Sequence, residues 1–325
     1  MILSRLILPL LAAGVLLAGC GESSTDTSEI WYPYKSPMMS LDGENGPENV
    51  GPLFASEFGY FRDLGVQPKM NPPIEPARAI ENVSRKVVDV AIAQEPQVVL
   101  AQEEGLPVVM FGSLVSEPTM AMIWLPKSGI EGIADLKGKT IAYSGIPFQK
   151  DFLEYVLRGA GLTLADVKLE NVLYGLTHAL ASGRADAIFG GSGNEEGALL
   201  ETRGFDPVVT EVTDLGVPGY DELVLIARPN QYAKQPELFH RILKASIRGN
   251  EAAAKDAAAA TEAVVEQSLG TASPKPTRAG IEATTPLLSQ TGDVDEAQLE
   301  ELIGWMHEEG MIRRQIPASS LLAGS

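Results

Sequence analysis

The sequence is poor in the residues that make covalent cross-links or bind metals. It has one cysteine, Cys20, in 325 residues, and three scattered histidines, His178, His240 and His307. A lone cysteine cannot close an intramolecular disulfide, so the core alone must hold the fold. The histidines have no metal-ligand spacing. We therefore expect neither a metal nor a cofactor, and the composition disfavours a zinc enzyme or a cysteine-nucleophile enzyme.

Positive charge is also scarce. The chain has 25 Lys and Arg against 43 Asp and Glu, which gives a net charge of −18. An acidic surface repels polyanions, so nucleic acid and bare anionic membranes are poor partners. After the N-terminal segment, no apolar run approaches the ~20 residues of a membrane-spanning helix. The length is sufficient for two domains of ordinary size.

The N-terminal segment has the pattern of a bacterial lipoprotein signal peptide. One positive charge, Arg5, precedes an apolar run, Leu6 to Leu17, that is too short to span a bilayer. The run ends in Leu-Ala-Gly-Cys, which provides small residues for cleavage and a thiol at Cys20 for acylation. We predict residues 1–19 as the signal peptide, Cys20 as the lipidation site and residues 20–29 as a flexible tether. The alternative is an ordinary secretory signal with an incidental cysteine.

From Ile30 onward, short apolar runs alternate with amphipathic segments of helical length, which is typical of an α/β protein. The predicted strands are Ile30–Tyr34, Val66–Asn71, Val87–Ala93, Val108–Leu114, Ala121–Leu125, Thr140–Tyr143, Val167–Asn171, Ala185–Phe189, Pro207–Val212 and Glu222–Ala227. The predicted helices between them are Leu53–Phe61, Pro76–Arg85, Pro96–Glu104, Lys150–Ala160, Thr177–Ser182 and Glu195–Arg203.

The pattern changes after Pro229, where helix formers dominate. This part of the chain predicts helices over Pro236–Gln267, Arg278–Ser289 and Asp295–Glu309, with a frayed tail beyond Arg314. We predict two lobes: residues 30–120 with 226–325 form lobe 1, and residues 126–221 form lobe 2. The hinges are expected near residues 121–125 and 222–227, because these apolar runs bound the middle block of strands and helices.

Several segments, in this order and spacing, resemble a known family. They are Glu57–Val66 (EFGYFRDLGV), Glu104–Val109 (EGLPVV), Asp135–Ile141 (DLKGKTI), Gly145–Pro147, Gly190–Gly191 and Gly216–Leu223 (GVPGYDEL). The sequence is similar to the solute-binding lipoproteins of ABC importers in the NMT1/THI5-like and SsuA-like group, nearest to those that bind thiamine-precursor pyrimidines. The similarity covers most of the chain from Gly59 to about Gly310.

The resemblance implies a type II periplasmic-binding-protein fold. Two α/β lobes would be joined by two hinge strands, with the C-terminal helices packing on lobe 1. It also implies a monomer that captures a small molecule between its lobes and delivers it to an ABC permease and its ATPase. A lipid on Cys20 would anchor the protein to a membrane of the cell envelope, on its extracytoplasmic or periplasmic face.

Two loops of the second lobe are candidate ligand sites, because ligands of open α/β sheets bind beyond the carboxyl ends of strands. Ser144 and Gly145 follow a strand and precede a helix, where backbone N–H groups are available to a ligand. Their alternative role is a structural turn. The next loop carries the candidates Ser192, Asn194, Glu195 and Glu196. Asn194 and Glu196 match ligand-facing positions of the family, although an acid at a helix start also serves as a cap.

The first lobe departs from the family at its pocket positions. The first loop has the aromatic residues Trp31, Tyr32 and Tyr34 but lacks the Asn and His of the family pattern. Gln94 and Gln97 stand where the family usually has Tyr and Asp. We predict Tyr32, Tyr34, Gln94, Glu95 and Tyr220 as ligand contacts. Aromatic rings suit a flat ligand, and Glu95, Glu195 and Glu196 favour an amine over a sulfonate.

Three function classes fit this sequence. The leading one is a transport protein that binds without chemistry. The second is an enzyme like the THI5-type pyrimidine synthases, which the missing cysteine motif and missing loop histidine disfavour. The third is a binding lipoprotein that acts as a sensor, which the sequence leaves open.

Overall fold

The computed structural model describes residues 38–40, 46–70, 76–268 and 270–324. The predicted signal peptide, lipidation site, tether and first strand, Ile30–Tyr34, lie outside the described residues. So do three of the aromatic candidates, Trp31, Tyr32 and Tyr34.

Two five-stranded sheets form the centres of two lobes. Residues of the sheets are mostly apolar and buried, and the amphipathic helices cover their faces. The strands are β1 Met38–Ser40, β2 Lys69–Met70, β3 Val90–Ala93, β4 Val109–Val115, β5 Met120–Trp124, β6 Thr140–Tyr143, β7 Lys168–Asn171, β8 Ala187–Ser192, β9 Val208–Glu211 and β10 Leu223–Ala227. The first sheet has the order β2-β1-β3-β10-β4, and the second has the order β7-β6-β8-β5-β9.

Twelve α-helices lie in the described residues, with a π-helical turn, Gly193–Gly197, directly before the seventh. They are α1 Val50–Glu57, α2 Tyr60–Asp63, α3 Ala79–Ser84, α4 Glu95–Glu103, α5 Pro147–Gly159, α6 Leu176–Ser182, α7 Ala198–Thr202, α8 Pro229–Lys234, α9 Pro236–Lys255, α10 Ala257–Gln267, α11 Pro274–Thr284 and α12 Glu296–Glu308. Within the described part of the chain, no helix combines the length and apolarity that a bilayer crossing requires.

Each sheet has one antiparallel strand that directly follows a passage of the chain from the other sheet. Strand β10 lies antiparallel between β3 and β4, with Leu225 opposite Ile92 and Gly112. Strand β5 lies antiparallel between β8 and β9, with Ile123 opposite Ile188 and Val209. The other pairs are parallel. The chain therefore passes between the sheets at residues 116–119 and 212–222, a few residues before each apolar run that the sequence marked as a hinge.

The first described strand was missed by the sequence analysis, which predicted no strand between Tyr34 and Val66. Strand β1 pairs with both β2 and β3 through Met39, which is fully buried. The run is only three residues long and contains no β-branched side chain. Its strand conformation therefore comes from its central place in the sheet and not from local propensity.

The prediction of a frayed C-terminal tail was wrong. Leu321 is fully buried, Leu322 forms a parallel bridge with Met110, and the Ala323 N–H donates to the Met110 carbonyl at 2.8 Å. Strand β4 is an edge of the first sheet, so its backbone groups are open to pairing. The apolar Leu-Leu pair anchors the tail against this edge.

The C-terminal helices differ in what they contact. The predicted helix Pro236–Gln267 is divided at Asp256, whose carboxylate accepts from the Ala258 and Ala259 N–H groups and caps α10. Helices α9 and α10 pack on α1 of the first lobe. Helix α12 contacts α4 of the first lobe and also α5 of the second, where Trp305 packs edge-on against Phe152 and Tyr155. One apolar core thus runs through both lobes on this side.

Helices α1 and α9 approach closely because glycine occupies both sides of their crossing. A Cβ placed on Gly249 would lie 1.9 Å from the Gly51 carbonyl oxygen, and one placed on Gly51 would lie 2.0 Å from Asn250 Oδ1. A side chain at either position would push the helices apart.

We predict that Gly249→Ala lowers the free energy of unfolding by about 1–3 kcal/mol through overpacking. The matched control is Gly304→Ala in α12, where a new Cβ meets no described atom within 4 Å. The control should raise stability by about 0.5–1 kcal/mol, since glycine is a poor helix former. Urea unfolding of both variants measures this, and equal effects would contradict the close crossing.

Candidate functional site

A cavity with about 730 Å³ of space between atoms, part of it open to solvent, lies between the two sheets. Its wall comes from the ends of β3, β6, β7 and β8 and from the starts of the antiparallel strands β5 and β10, which meet at the same edges. The lining residues are Glu48, Asn49, Gln94, Thr119, Met120, Ser144, Ile146, Leu173, Tyr174, Leu176, Gly190, Gly191, Ser192, Glu195, Glu196, Glu222 and Leu223.

The residues predicted as ligand contacts fall into three groups. Those in the wall of the cavity are Gln94, Ser144, Ser192, Glu195 and Glu196. Those next to the wall but outside the lining set are Glu95, Gly145, Asn194 and Tyr220. Tyr32 and Tyr34 lie outside the described residues.

Gln94 occupies the N-cap of α4, directly after β3. Its N–H donates to Gln97 Oε1 at 3.1 Å, so Gln97 serves the helix end. The Gln94 side chain turns the other way, and its Nε2 donates to Glu222 Oε1. The side chain is 7% exposed. The cap thus fixes the backbone of Gln94 while the amide forms part of the cavity wall.

Glu222 is a buried carboxylate at the second passage between the lobes, and the sequence analysis did not single it out. Its Oε2 accepts from the N–H group of Thr119 at 2.8 Å, in the first passage, and from that of Met120 at 3.3 Å, where β5 begins. Burial raises the pKa of Glu222, and these donors together with Gln94 lower it in part. Glu222 therefore joins the two passages to each other and to the end of β3.

Glu48 is a second acid that the sequence analysis missed. It lies in the 3₁₀ turn Pro47–Asn49, and its Oε1 accepts from Thr119 Oγ1 at 2.7 Å. Burial first, and then the charge of Glu222, raise the pKa of Glu48 to about 8. Glu196 adds to this effect from the other lobe. The acid-rich stretch before Val50 contains the residue, but no sequence motif marks it.

Glu196 lies in the π-helical turn that follows β8. Its Oε2 accepts from the Ser192 N–H at 2.8 Å and from Ser192 Oγ at 3.3 Å, so it caps the turn from within. Both Glu195 and Glu196 remain in the cavity wall. Wide π turns are common at functional sites because they redirect side chains at a helix start. Glu196 therefore both caps the turn and lines the cavity.

Ser144 and Gly145 begin the loop after β6. The Ser144 N–H donates to Gln149 Oε1 at 3.2 Å, and Gln149 Nε2 donates to Ser144 Oγ at 2.8 Å. The sequence analysis expected the backbone N–H groups here to be available to a ligand, but that of Ser144 is already bonded. Gly145 has φ +85°, and a Cβ there would lie 2.4 Å from Asn171 Nδ2. Its role in the structure is therefore that of a tight turn.

Asn194 links the lobes beside the cavity. Its Nδ2 donates to Thr284 Oγ1 at 2.6 Å, and that hydroxyl donates to the Gly280 carbonyl within α11. Asn194 is 8% exposed and Thr284 is fully buried. The Nδ2 group of Asn194 is therefore used in the contact between the π turn and α11.

Glu95 and Tyr220 are buried next to the passages. Glu95 Oε2 accepts from the Asp221 N–H at 2.9 Å. Burial, followed by the charge of Asp221, raises the pKa of Glu95 to about 8, and burial raises that of Asp221 to about 7. The Tyr220 ring is fully buried and packs edge-on to Phe152. Burial and then Glu222 raise the pKa of Tyr220 well above its usual value.

The ionisable side chains of the cavity wall are acids, apart from Tyr174. Glu48, Glu195, Glu196 and Glu222 line it, and none of the described lining residues is Lys or Arg. Tyr174 is the one aromatic ring among the described lining residues. It follows Leu173, which has the left-handed φ of +52° and donates its N–H to Asn171 Oδ1 at 3.0 Å. No group of three or more metal-binding side chains occurs in the described residues.

The comparisons with known proteins agree on one family. The model of the family described as NMT1/THI5 like matches residues 47–260. The chain is 33% identical over 192 residues to a putative thiamine biosynthesis protein of Haemophilus influenzae, covering 59% of this chain and 61% of that protein. It is 31% identical to the formylaminopyrimidine-binding protein of Halalkalibacterium halodurans, covering 75% of this chain and 73% of that protein.

More distant matches include enzymes and solved binding proteins. The chain is 27% identical to a 4-amino-5-hydroxymethyl-2-methylpyrimidine phosphate synthase of Aspergillus parasiticus, covering 66% of each. The solved alkanesulfonate-binding protein SsuA of Xanthomonas axonopodis superposes with a TM-score of 0.69 at 15% identity, covering 88% of this chain and 97% of that one. The predicted type II periplasmic-binding-protein fold, with its two α/β lobes, is confirmed.

The buried acids predict an unusual pH dependence of stability. Burial raises the folded-state pKa values of four acids to about 7 to 8, above their unfolded values. These acids are Glu48, Glu95, Glu211 and Asp221. Between pH 5 and 8 the folded state therefore binds more protons than the unfolded state, and stability falls as pH rises. Each extra bound proton contributes about 1.4 kcal/mol per pH unit.

We expect the free energy of unfolding of the ligand-free protein, measured in urea, to be lower at pH 8 than at pH 5.5. Glu95→Gln should flatten this dependence, because glutamine retains an oxygen for the Asp221 N–H and does not titrate. A wild-type stability that rises over this range would contradict the raised pKa values.

Proposed function

Because the chain belongs to the NMT1/THI5 like family, we propose that it is a solute-binding protein that encloses a small, flat, amine-bearing molecule between its lobes. The observation that carries this proposal is the cavity between the two sheets, lined by four carboxylates and, in its described part, by no cationic side chain. The ligand leaves chemically unchanged. A pyrimidine-related compound fits this description.

The acids of the wall support an amine over an anion. A sulfonate or phosphate placed between Glu48, Glu196 and Glu222 would face repulsion from each ionised carboxylate at close range. An amine or a protonated ring offsets the same charges and donates hydrogen bonds to them. Tyr174 supplies a ring face for stacking. This chain therefore differs in ligand class from a sulfonate binder of the same fold.

The role in transport is part of the same proposal. The Leu-Ala-Gly-Cys run ending at Cys20 supports a lipoprotein of the cell envelope, held by its lipid on the extracytoplasmic or periplasmic side. Its partners are then an ABC permease and its ATPase, and a monomer suffices for delivery. A sensor would bind the same ligand but would support no uptake.

An enzyme of the synthase type is the second candidate, because synthases occur among the relatives. The single cysteine of the chain stands at the predicted lipidation site, which leaves no cysteine-rich motif for such chemistry. Turnover distinguishes the two. A bound pyrimidine recovered unchanged after prolonged incubation supports binding, and a new product supports the enzyme.

We predict that 4-amino-2-methylpyrimidine raises the melting temperature of the purified protein in a concentration-dependent manner, whereas ethanesulfonate leaves it unchanged. A ligand that binds the folded state alone adds about 2.7 kcal/mol at a hundred times its Kd. Stabilisation by the sulfonate and not by the amine would overturn the assigned ligand class. Native mass spectrometry of the protein as purified identifies any ligand that it retains.

Substitution distinguishes the roles of the two acids of the π turn, Glu195 and Glu196. Glu196→Gln retains an oxygen for the Ser192 N–H, so the cap survives and the charge is removed. If Glu196 also accepts from the ligand, affinity should fall about 10- to 150-fold with little change in the melting temperature of the free protein. Glu195→Gln is the matched control. A loss confined to Glu195→Gln in isothermal titration would move the contact by one residue.

A further inference from the structure

We propose that Leu173 is a specificity-determining residue that covers an apolar substituent of the ligand, so that the cavity selects a molecule with an amine on one side and an apolar group on the other. The inference rests on the proposed function, and it adds an apolar half of the ligand to the amine half already assigned.

The cavity wall divides into an acidic side and an apolar side. In the second sheet, β7 and β6 are neighbours at one edge, and β8 and β5 follow them. The loops after β7 and β6 contribute Leu173, Tyr174 and Ile146, and α6 begins with Leu176. The four carboxylates come from the turn after β8, from the turn before α1 and from the residue before β10. A ligand that fills both sides therefore presents an apolar group to the β6 and β7 loops.

Leu173 offers exposed apolar surface on this side. It is 40% exposed, and of the four large apolar residues that are exposed in the described part of the chain it alone lines the cavity. It belongs to none of the three apolar cores, whereas the nearby Leu176 is buried in the third. The Leu173 side chain therefore contributes little to the packing of the fold, and its surface is available to a ligand.

The backbone of Leu173 has a conformation that leucine rarely adopts. Its φ is +52°, at the first central position of a tight turn that the Gly175 N–H closes by donating to the Val172 carbonyl at 2.9 Å. Glycine is the usual residue at such a position, because a Cβ crowds the backbone there. Strain of this kind persists where the surrounding structure enforces it, and it clusters at ligand sites. A strained leucine that adds nothing to a core points to a role in the cavity.

The strands on either side hold this turn in place. The Leu173 N–H donates to Asn171 Oδ1 at 3.0 Å, and the Val172 N–H donates to the Tyr143 carbonyl at 3.0 Å. Asn171 also packs closely on Gly145, where a Cβ would lie 2.4 Å from Asn171 Nδ2. The turn is thus bound to the ends of both β6 and β7, which gives Leu173 a fixed position in the wall.

Substitution by asparagine tests the role of the side chain. Leu173→Asn removes the apolar surface and retains the turn, because asparagine tolerates a positive φ. The matched control is Lys86→Asn, since Lys86 is the other described non-glycine residue with a positive φ, +64°, and lies after α3, outside the cavity wall. The probes are 4-aminopyrimidine and its 2-, 5- and 6-methyl derivatives, and isothermal titration measures their affinities.

We expect the wild-type protein to bind at least one methyl derivative about 4-fold more tightly than 4-aminopyrimidine, as burial of one methyl group requires. In Leu173→Asn this gain should fall below about 2-fold, while the melting temperature of the free protein stays at or above that of wild type because the strain is relieved. Leu173→Met keeps an apolar side chain and should retain the gain. Lys86→Asn should leave the gain unchanged.

The gain from a methyl group separates an apolar contact from a general structural role, because a loosened cavity weakens all four probes alike. A gain that persists in Leu173→Asn would overturn the inference, and so would an equal loss in Lys86→Asn. If Leu173→Asn fails to fold, Leu173→Gly takes its place, and persistence of the gain would overturn it equally.

The wild-type protein distinguishes this inference from the proposed function. Binding of 4-aminopyrimidine with no gain from any methyl group would refute the apolar side and leave the amine side standing. Binding of none of the four probes would instead remove the proposed function, and this inference with it.

Discussion

Burial of one carboxylate at the place where the chain passes between its lobes constrains much of this structure. Glu222 comes from the second passage and is held by backbone N–H groups of the first, so a single acid ties together the two connections on which any lobe movement depends. Removing a charge from water is unfavourable unless donors replace the lost hydration. The chain supplies these donors from Thr119, Met120 and Gln94, and their placement shapes the cavity floor.

The other acids around this point make the ligand-free cavity electrostatically unfavourable when they ionise. Glu48 and Glu196 approach Glu222 from opposite lobes, and burial raises the pKa of both Glu48 and Glu222. Such repulsion weakens the lobe contact, while the Asn194–Thr284 hydrogen bond strengthens it. A cationic or amine ligand would relieve the repulsion between the acids without breaking the Asn194–Thr284 hydrogen bond. The same electrostatic attraction would then favour both ligand binding and closure of the lobes.

The sequence was sufficient for the architecture but not for the details of the cavity. Nine predicted strands have counterparts, and the longer ones, such as Val109–Val115 and Leu223–Ala227, lie in apolar runs that signal burial, whereas Met38–Ser40 is too short to do so. Gln94 was found because it follows a strand in a loop of known type. Glu48 and Glu222 were missed, because an acid in a turn and an acid before an apolar strand look like ordinary solvent-facing residues. Only the long-range contact with residues 119 and 120 distinguishes them.

The C-terminal tail has a consequence for how copies of this protein meet. By pairing with Met110, residues 322 and 323 cover backbone groups on the β4 edge that would otherwise accept a strand from a neighbour. If the proposed lipid on Cys20 anchors the protein to a membrane, its copies are confined to two dimensions, where encounters are frequent. The part of the β4 edge that the tail covers then offers no strand-pairing site to a neighbouring copy.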